Sequence, residues 1–189
     1  MTKQRSESSF VAFAPSPAKM DDFMSAPDFV ATPYRQGIIA SALPRSSKCV
    51  QLSFEDLKCF EVVDRQFKSL GVTFCNCIAI RPSNPAFPPN SGTTVLMAAP
   101  KNGWLEATFP HSVRSVKAFV TSSQRLVLSA YDINNERIGQ VEISEPNLAG
   151  TDSSIPPNNQ LLIEAPNIYR ITFCAFDGQF TVDDLSFEF

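Results

Sequence analysis

Four carboxylates near the two ends of a β-rich region are the first residues whose types and spacing could do chemistry. Glu55 and Asp56 lie in the first strand-like stretch, and Asp183 and Asp184 lie in the last one. If these two strands pair, the four side chains converge. Clustered carboxylates suit Ca2+, which takes about six to eight oxygen ligands. The sequence therefore predicts a metal site at these four residues. The alternative is that one acid of each pair faces solvent and the other caps a turn.

A second group of side chains could stack on a sugar ring or bind its hydroxyl groups. Phe87 and Asn90 lie in the segment 81–92, whose four prolines remove the backbone donors that a sheet requires. We therefore expect Phe87 to face a ligand or a partner. Trp104 and Tyr131 lie in strand-like stretches. Most aromatic residues of a Phe-rich sandwich belong to its core, but Phe87, Asn90, Trp104 and Tyr131 are the candidates for ligand binding.

The remaining reactive side chains do not indicate an enzyme. His111 follows a proline in a predicted turn, and the sequence has no nucleophile motif, phosphate loop or dinucleotide fingerprint around it. The carboxylates named above lie at sheet ends, where nothing in the sequence indicates the cleft of a glycosidase. The five cysteines lack the spacing of a zinc site, so we expect free thiols that pack as small apolar residues.

The positions of these residues follow from the strands that carry them. The last strand alternates apolar and polar residues at Phe180, Val182, Leu185 and Phe187, which is typical of a half-buried strand. The alternation breaks at Asp183-Asp184. Similar stretches recur from Val50 onward, separated by turns and two long loops, 81–92 and 145–159. Eight or nine strands without a convincing helix predict an all-β fold, an antiparallel β-sandwich of the jelly-roll type over residues 49–189.

Residues 1–48 are predicted to lie outside this domain. They contain five prolines and many serines, with no helical or strand period. Apolar side chains nevertheless recur along this proline-stiffened segment, which is typical of an extended docking arm. The candidates for contact with protein subunits are Phe10, Phe13, Phe23, Phe29 and Tyr34. The alternatives are an arm that packs on its own sandwich and a disordered leader.

Charge and hydropathy limit the partners and the location. The net charge is −3, and the excess of Asp and Glu falls in residues 49–189, which argues against nucleic acid as a partner. We expect no membrane span, because no apolar run approaches the roughly 18 residues that one needs. The polar start of the chain does not resemble a signal peptide. A cytoplasmic or particle-associated protein is the expectation.

The strand sequences resemble a known group of domains. The segments that carry the resemblance are Phe54-Glu-Asp-Leu57, Gly71-Val-Thr-Phe74, Asn84 to Gly92, Leu128-Ser-Ala-Tyr-Asp132 and Phe180-Thr-Val-Asp-Asp-Leu-Ser-Phe187. Over about residues 50–189 they look like the galactose-binding-like jelly rolls of bacteria, which are similar to carbohydrate-binding modules. The resemblance implies a β-sandwich and a structural calcium near the chain ends. The segment 1–48 has no counterpart in it.

Two functions are consistent with these observations. The first is a non-catalytic interaction module, in which residues 1–48 tether the sandwich as a structural or linker subunit of a larger protein assembly. The second is a lectin-like carbohydrate-binding module that uses the loops 82–92 and 145–159. Deletion of residues 1–48 distinguishes them, because it would abolish assembly in the first case and leave sugar binding intact in the second.

Overall fold

The computed structural model describes residues 48–99 and 103–189. Within these two ranges, the regular structure consists of nine β-strands and one 3-10 turn, Lys68–Leu70. The strands are β1 (Cys49–Gln51), β2 (Thr73–Cys75), β3 (Cys77–Ile80), β4 (Val95–Ala98), β5 (Trp104–Ser122), β6 (Leu126–Tyr131), β7 (Arg137–Ile143), β8 (Asn159–Ala175) and β9 (Phe180–Glu188). Every pairing is antiparallel, and the main order is β3-β4-β9-β5-β8-β6-β7. The all-β prediction is confirmed. No helix among the described residues is long and apolar enough to cross a membrane.

Two long strands divide this sheet into two layers. The pairing of β5 with β8 is irregular between residues 108 and 115, where both strands bend. On one side of the bend, layer 1 contains β1, β3, β4, β9 and the pair 115–122 with 159–164. On the other side, layer 2 contains β2, β6, β7 and the pair 104–108 with 170–174. The layers form the sandwich that the alternating sequence pattern predicts.

A single apolar core lies between the layers. In layer 2, Leu105, Leu128 and Phe173 occupy neighbouring positions on three strands and are fully buried. The ring of Phe173 lies 6.4 Å from that of Phe180 on β9, a contact that joins the two layers. The residues that alternate with these point outward, so the strands fix which side chains are available for binding.

The predicted pairing of the first and last strands is confirmed. Val50 lies opposite Phe187, and the backbone N–H of Phe189 donates to the carbonyl of Lys48 at 3.3 Å. The strand β9 is not at an edge, since β4 and β5 also flank it.

The break at Asp183-Asp184 is a β-bulge. Lys117 pairs with Ser186 and Phe119 pairs with Asp183, so β9 has one residue more than β5 over this interval. Asp184 has a φ of 45°, in the left-handed region that aspartate tolerates better than most residues. The two consecutive acids in the sequence therefore indicate the extra residue of a bulged strand.

The long apolar and β-branched run 70–80 predicts one central strand, and this prediction is wrong. Asn76, with a φ of 57°, ends β2 in layer 2 and starts β3 in layer 1. Its side-chain amide donates to the carbonyl of Trp104, which holds this crossing in place. Two cysteines two residues apart on a single strand would share a face, but Cys75 and Cys77 lie on different strands and do not. The five cysteines are free, but only Cys77 is buried, so the expectation of small apolar core residues holds for Cys77 alone.

Candidate functional site

The outer face of layer 2 is an open surface of aromatic, charged and amide side chains. Strand register places its residues in rows across β5, β8, β6 and β7. The three rows are Trp104-Cys174-Val127-Glu142, Glu106-Thr172-Ser129-Gln140 and Thr108-Arg170-Tyr131-Arg137. Two of the four predicted ligand-binding residues, Trp104 and Tyr131, therefore lie on the same face. We call this surface the layer 2 face.

Trp104 lies at one corner of the layer 2 face. Its side chain is partly exposed, and the indole N–H has no hydrogen-bond partner among residues 48–99 and 103–189. An aromatic ring with one polar edge suits a ligand that offers both apolar faces and acceptors. Trp104 and Tyr131 lie about 13 Å apart along the strands and about 10 Å apart across them, from strand rise and spacing. A ligand that contacts both must be extended.

Arg170 lies at the opposite end of this face, on β8, and contacts three neighbouring side chains. Its guanidinium carbon lies 3.9 Å from the centroid of the Tyr131 ring, a cation–π contact that occupies one ring face. Its nitrogen atoms also donate to Glu106 at 2.8 Å and to Asn135 at 3.2 Å. Arg170 and Glu106 are largely buried, so this ion pair is less screened than a surface pair. The three contacts fix one planar guanidinium beside an aromatic ring.

Two further arginine contacts lie at the β7 side of the layer 2 face. Arg125 forms an ion pair with Glu142, and Arg137 donates to the side-chain carbonyl of Gln140 at 2.8 Å. These side chains are exposed, so each contact contributes at most about 1 kcal/mol to stability. Their effect is to hold these donors and acceptors in fixed positions on the layer 2 face.

The sequence did not single out Arg170 and Glu106. Their roles depend on register, because 64 residues separate them in the chain and only the β5–β8 pairing brings them together. Side-chain alternation in the sequence does indicate that both residues point outward, because each lies between apolar residues of a strand-like stretch.

The layer 2 face does not have the carboxylate pair of a glycosidase. Glu106 on β5 and Glu142 on β7 are three strand spacings apart, or at least about 14 Å. Retaining and inverting glycosidases place their two carboxyl groups about 5 to 9.5 Å apart. Glu106 is also engaged by Arg170.

Three of the four predicted metal-site carboxylates do converge, in layer 1. Glu55, Asp183, Asp184 and Ser91 line one concavity of about 360 Å3, and Asp56 lies outside it. Asp183 is buried and accepts from the backbone N–H groups of Asn90 at 2.8 Å and Ser91 at 3.1 Å. Asp184 accepts from the side chains of the same two residues, at 2.7 and 2.8 Å.

Glu55 holds the end of the same loop. It accepts from the backbone N–H groups of Thr93 and Thr94, both at 2.9 Å, and from the Thr93 hydroxyl at 3.0 Å. Gly92, with a φ of 57°, lies directly over the carboxylate, and a Cβ there would collide with it. The carboxylates thus fasten the end of the proline-rich loop to β9 and to the segment after β1.

The prediction of a calcium site stays a prediction. In the part of the chain that the structure describes, no group of three or more His, Cys, Asp or Glu side chains has the arrangement of a metal site. The oxygens of Glu55, Asp183 and Asp184 instead accept the hydrogen bonds described above. Those donors do not fit a cation at the same oxygens unless residues 90–94 rearrange.

Hydrogen bonding and burial shift the pKa values of two of these carboxyl groups in opposite directions. The backbone N–H groups of Thr93 and Thr94 lower the pKa of Glu55 below its usual value of 4.5. Burial raises the pKa of Asp183, although three backbone N–H groups oppose this effect.

We expect Glu55→Gln to lower stability in a pH-dependent way. Because the pKa of Glu55 is lowered on folding, the folded chain holds fewer protons than the unfolded chain near and below pH 4.5. The contribution of Glu55 is therefore present above that pH and is lost as the pH falls. The urea midpoints of wild type and variant at pH 7 and pH 3 measure this contribution. The difference between the two midpoints should be smaller at pH 3 than at pH 7. An equal difference at both pH values would contradict the role assigned to this carboxylate.

The other two predicted ligand-binding residues lie away from the layer 2 face. Phe87 is 8% exposed, and its ring forms a wall of a separate cavity in layer 1. Asn90 is exposed but is held by Asp183 and Asp184. The structure therefore divides the four predicted residues between two surfaces. The predicted docking residues, Phe10, Phe13, Phe23, Phe29 and Tyr34, lie outside the described residues, and the docking arm stays a prediction.

Comparison with known proteins adds similarities of structure. No family model matches the sequence, and no curated protein sequence matches it significantly. A DUF4465 family protein from Bacteroides caccae has 11% identity and a TM-score of 0.45, over 74% of this chain and 98% of that chain. CBM29_1, a family 29 carbohydrate-binding module from Piromyces equi, has 8% identity and a TM-score of 0.43, over 76% of this chain and 91% of that chain.

A third similar structure is TmCBM61, determined in complex with β-1,4-galactotriose. It has 14% identity and a TM-score of 0.36, over 65% of this chain and 92% of that chain. These neighbours are of the kind that the sequence resemblance named. At such identities, these structural similarities do not identify a ligand of this chain.

Proposed function

We propose that this protein is a non-catalytic carbohydrate-binding module whose binding surface is the layer 2 face. The observation that carries the proposal is the placement of Trp104, Tyr131 and the Arg170–Glu106 pair on one open sheet surface. A sugar ring has an apolar face that stacks on aromatic side chains, and its hydroxyl groups both donate and accept hydrogen bonds. The layer 2 face offers both kinds of contact.

The geometry favours an extended glycan over a single sugar. Trp104 and Tyr131 lie in rows that are four residues apart along β8. Between them lies Thr172, which presents a hydroxyl group, and Gln140 presents an amide in the same row, beyond Ser129 on β7. Several linked rings would place one ring on the Trp104 indole and bring later hydroxyl groups to Arg170. The proposal keeps the lectin function that the sequence predicts, and it uses a sheet face as the binding surface instead of the loops 82–92 and 145–159.

A glycan array probed with the full chain, with and without calcium, tests this proposal. We expect binding to at least one oligosaccharide, and we expect Trp104→Ala to weaken it by about tenfold or more, or about 1.4 kcal/mol. Phe60→Ala is the matched control, because that ring is exposed and lies in layer 1. Loss of signal only when calcium is removed would assign the site to the carboxylates around Ser91.

Two outcomes contradict the proposal. One is no binding to any glycan by the wild-type chain. The other is equal binding by wild type and Trp104→Ala, provided that circular dichroism shows both to be folded. Either result would leave the assembly hypothesis, whose test is whether deletion of residues 1–48 releases the protein from a large complex.

A further inference from the structure

A second cavity lies against layer 1, on the other side of the sandwich from the proposed glycan site. Its volume is about 190 Å3. Its apolar walls come from the strands β3, β4 and β9 and from the proline-rich loop, and they include Ile80, Met97, Phe87 and Phe180. Phe87 and Phe180 are buried and form rigid walls. An enclosed apolar cavity of about 150 Å3 takes up benzene. This open cavity is slightly larger and therefore has room for one six-membered ring.

Phe60 lies at the rim of this cavity in a strained backbone conformation. The backbone N–H of Glu61 donates to the carbonyl of Lys58 at 3.0 Å, which makes Phe60 the third residue of a tight turn. Its φ is 67°, a value that favours glycine at this turn position and strains an aromatic residue. Burial of the side chain offsets little of this strain, because the residue is 76% exposed. A strained backbone and an exposed ring at a cavity rim are both accounted for if the ring contacts a ligand.

Three polar side chains around the cavity, those of Arg81, Asn84 and Gln179, carry N–H donors. The guanidinium of Arg81 forms no ion pair with another residue of the described ranges. The side-chain amide of Gln179 has no hydrogen bond within the same ranges, and Asn84 uses only its carbonyl, which accepts from Ala86 at 3.0 Å. These groups suit an anionic acceptor.

We propose that this cavity binds a small molecule that carries one aromatic ring and one carboxylate. The ring would enter between Phe87 and Met97 and be covered by Phe60, and the carboxylate would remain at the rim beside Arg81. This ligand differs from the glycan proposed for the layer 2 face in both site and chemistry. Its binding therefore does not depend on that proposal.

Ligand-observed NMR and calorimetry with the full chain test this inference. The probes are phenylacetate and its neutral match phenylacetamide, and glucuronate serves as a carboxylate on a sugar ring. We expect phenylacetate to bind more tightly than the other two. Arg81→Gln should remove the preference for phenylacetate over phenylacetamide, whereas Arg65→Gln, which changes another exposed arginine, should not.

Substitution of Phe60 gives the sharpest test. Phe60→Gly removes the ring and relieves the positive φ, so we expect phenylacetate to bind about tenfold more weakly while Tm stays equal or rises. Phe60→Asn, which also tolerates this φ, is the second variant in case the first does not fold. Phe176→Gly is the control, because it removes an 85% exposed ring outside the cavity.

Three results would overturn the inference. They are no binding of phenylacetate to the wild-type chain, unchanged binding by both Phe60 variants, and tighter binding of glucuronate than of phenylacetate. The last result would assign the cavity to sugar acids. Trp104→Ala leaves this cavity intact, so the glycan array with this variant tests only the glycan site on the layer 2 face. A failure of phenylacetate binding is therefore distinguishable from a failure of the proposed function.

Discussion

Phe187→Ala should lower the free energy of unfolding by about 3–5 kcal/mol, the usual cost of truncating a buried phenylalanine. The ring is buried, with its centroid 5.0 Å from that of Phe109 and 5.6 Å from that of Phe189. It lies on β9, opposite Val50 on one side and Val116 on the other. The cavity left by the substitution would therefore loosen three strands of layer 1 at once.

Urea denaturation followed by Trp104 fluorescence measures this effect. Domains of this size have a total stability of about 5–15 kcal/mol, so the loss would be a large fraction of it. Phe176→Ala is the matched control, since its exposed ring should change stability by no more than about 0.5 kcal/mol. Equal midpoints for the two variants would show that Phe187 is not part of a packed core.

Asn147→Ala should cost about 3 kcal/mol or more, because it leaves several buried backbone groups without partners. The Asn147 side chain accepts from the N–H of Ser122 at 2.7 Å and donates to the carbonyls of Val120 and Pro156, at 3.0 and 2.9 Å. It is fully buried, so water does not replace these bonds in the variant. One amide thus joins the loop 145–158 to the end of β5.

Hydrogen exchange and limited proteolysis distinguish a local effect from a global one. We expect the amide of Ser122 and the loop 145–158 to lose protection before the layer 2 strands do. Asn134→Ala is the control, since Asn134 is exposed in the β6–β7 turn and its side chain makes one weak contact of 3.4 Å. Full protection of the loop in Asn147→Ala would contradict this assignment.

The fold could be predicted from the sequence where side-chain alternation is regular. The alternation over 137–143 predicts the strand that the structure has, Arg137–Ile143. The alternation over 178–189 predicts β9 to within one or two residues at each end. The sequence predicts four short strands, 103–109, 113–120, 160–165 and 169–176, but the first two are the single strand β5 and the last two are the single strand β8. Alternation cannot show this, because a bend resembles a turn when Pro110 or Pro166 lies in it.

The candidate sites could be predicted only in part, because register brings their members together. The sequence identified Trp104 and Tyr131 by residue type, and it identified the carboxylates by the pairing of the first and last strands. It could not show that Phe60 has a positive φ, since nothing local marks a phenylalanine at a position that favours glycine. It also could not show that Arg170 lies against Tyr131, which depends on the β6–β8 pairing.

The position of β9 has a consequence for how the protein is made. This strand is the last of the nine in the chain, yet it pairs with β1, β4 and β5. A ribosome would deliver the other eight strands first, and layer 1 could not close until residues 180–188 had emerged. Contacts between such distant residues also form slowly. Until then the unpaired edges of β4 and β5 are open to aggregation, so the nascent chain would be a substrate for chaperones.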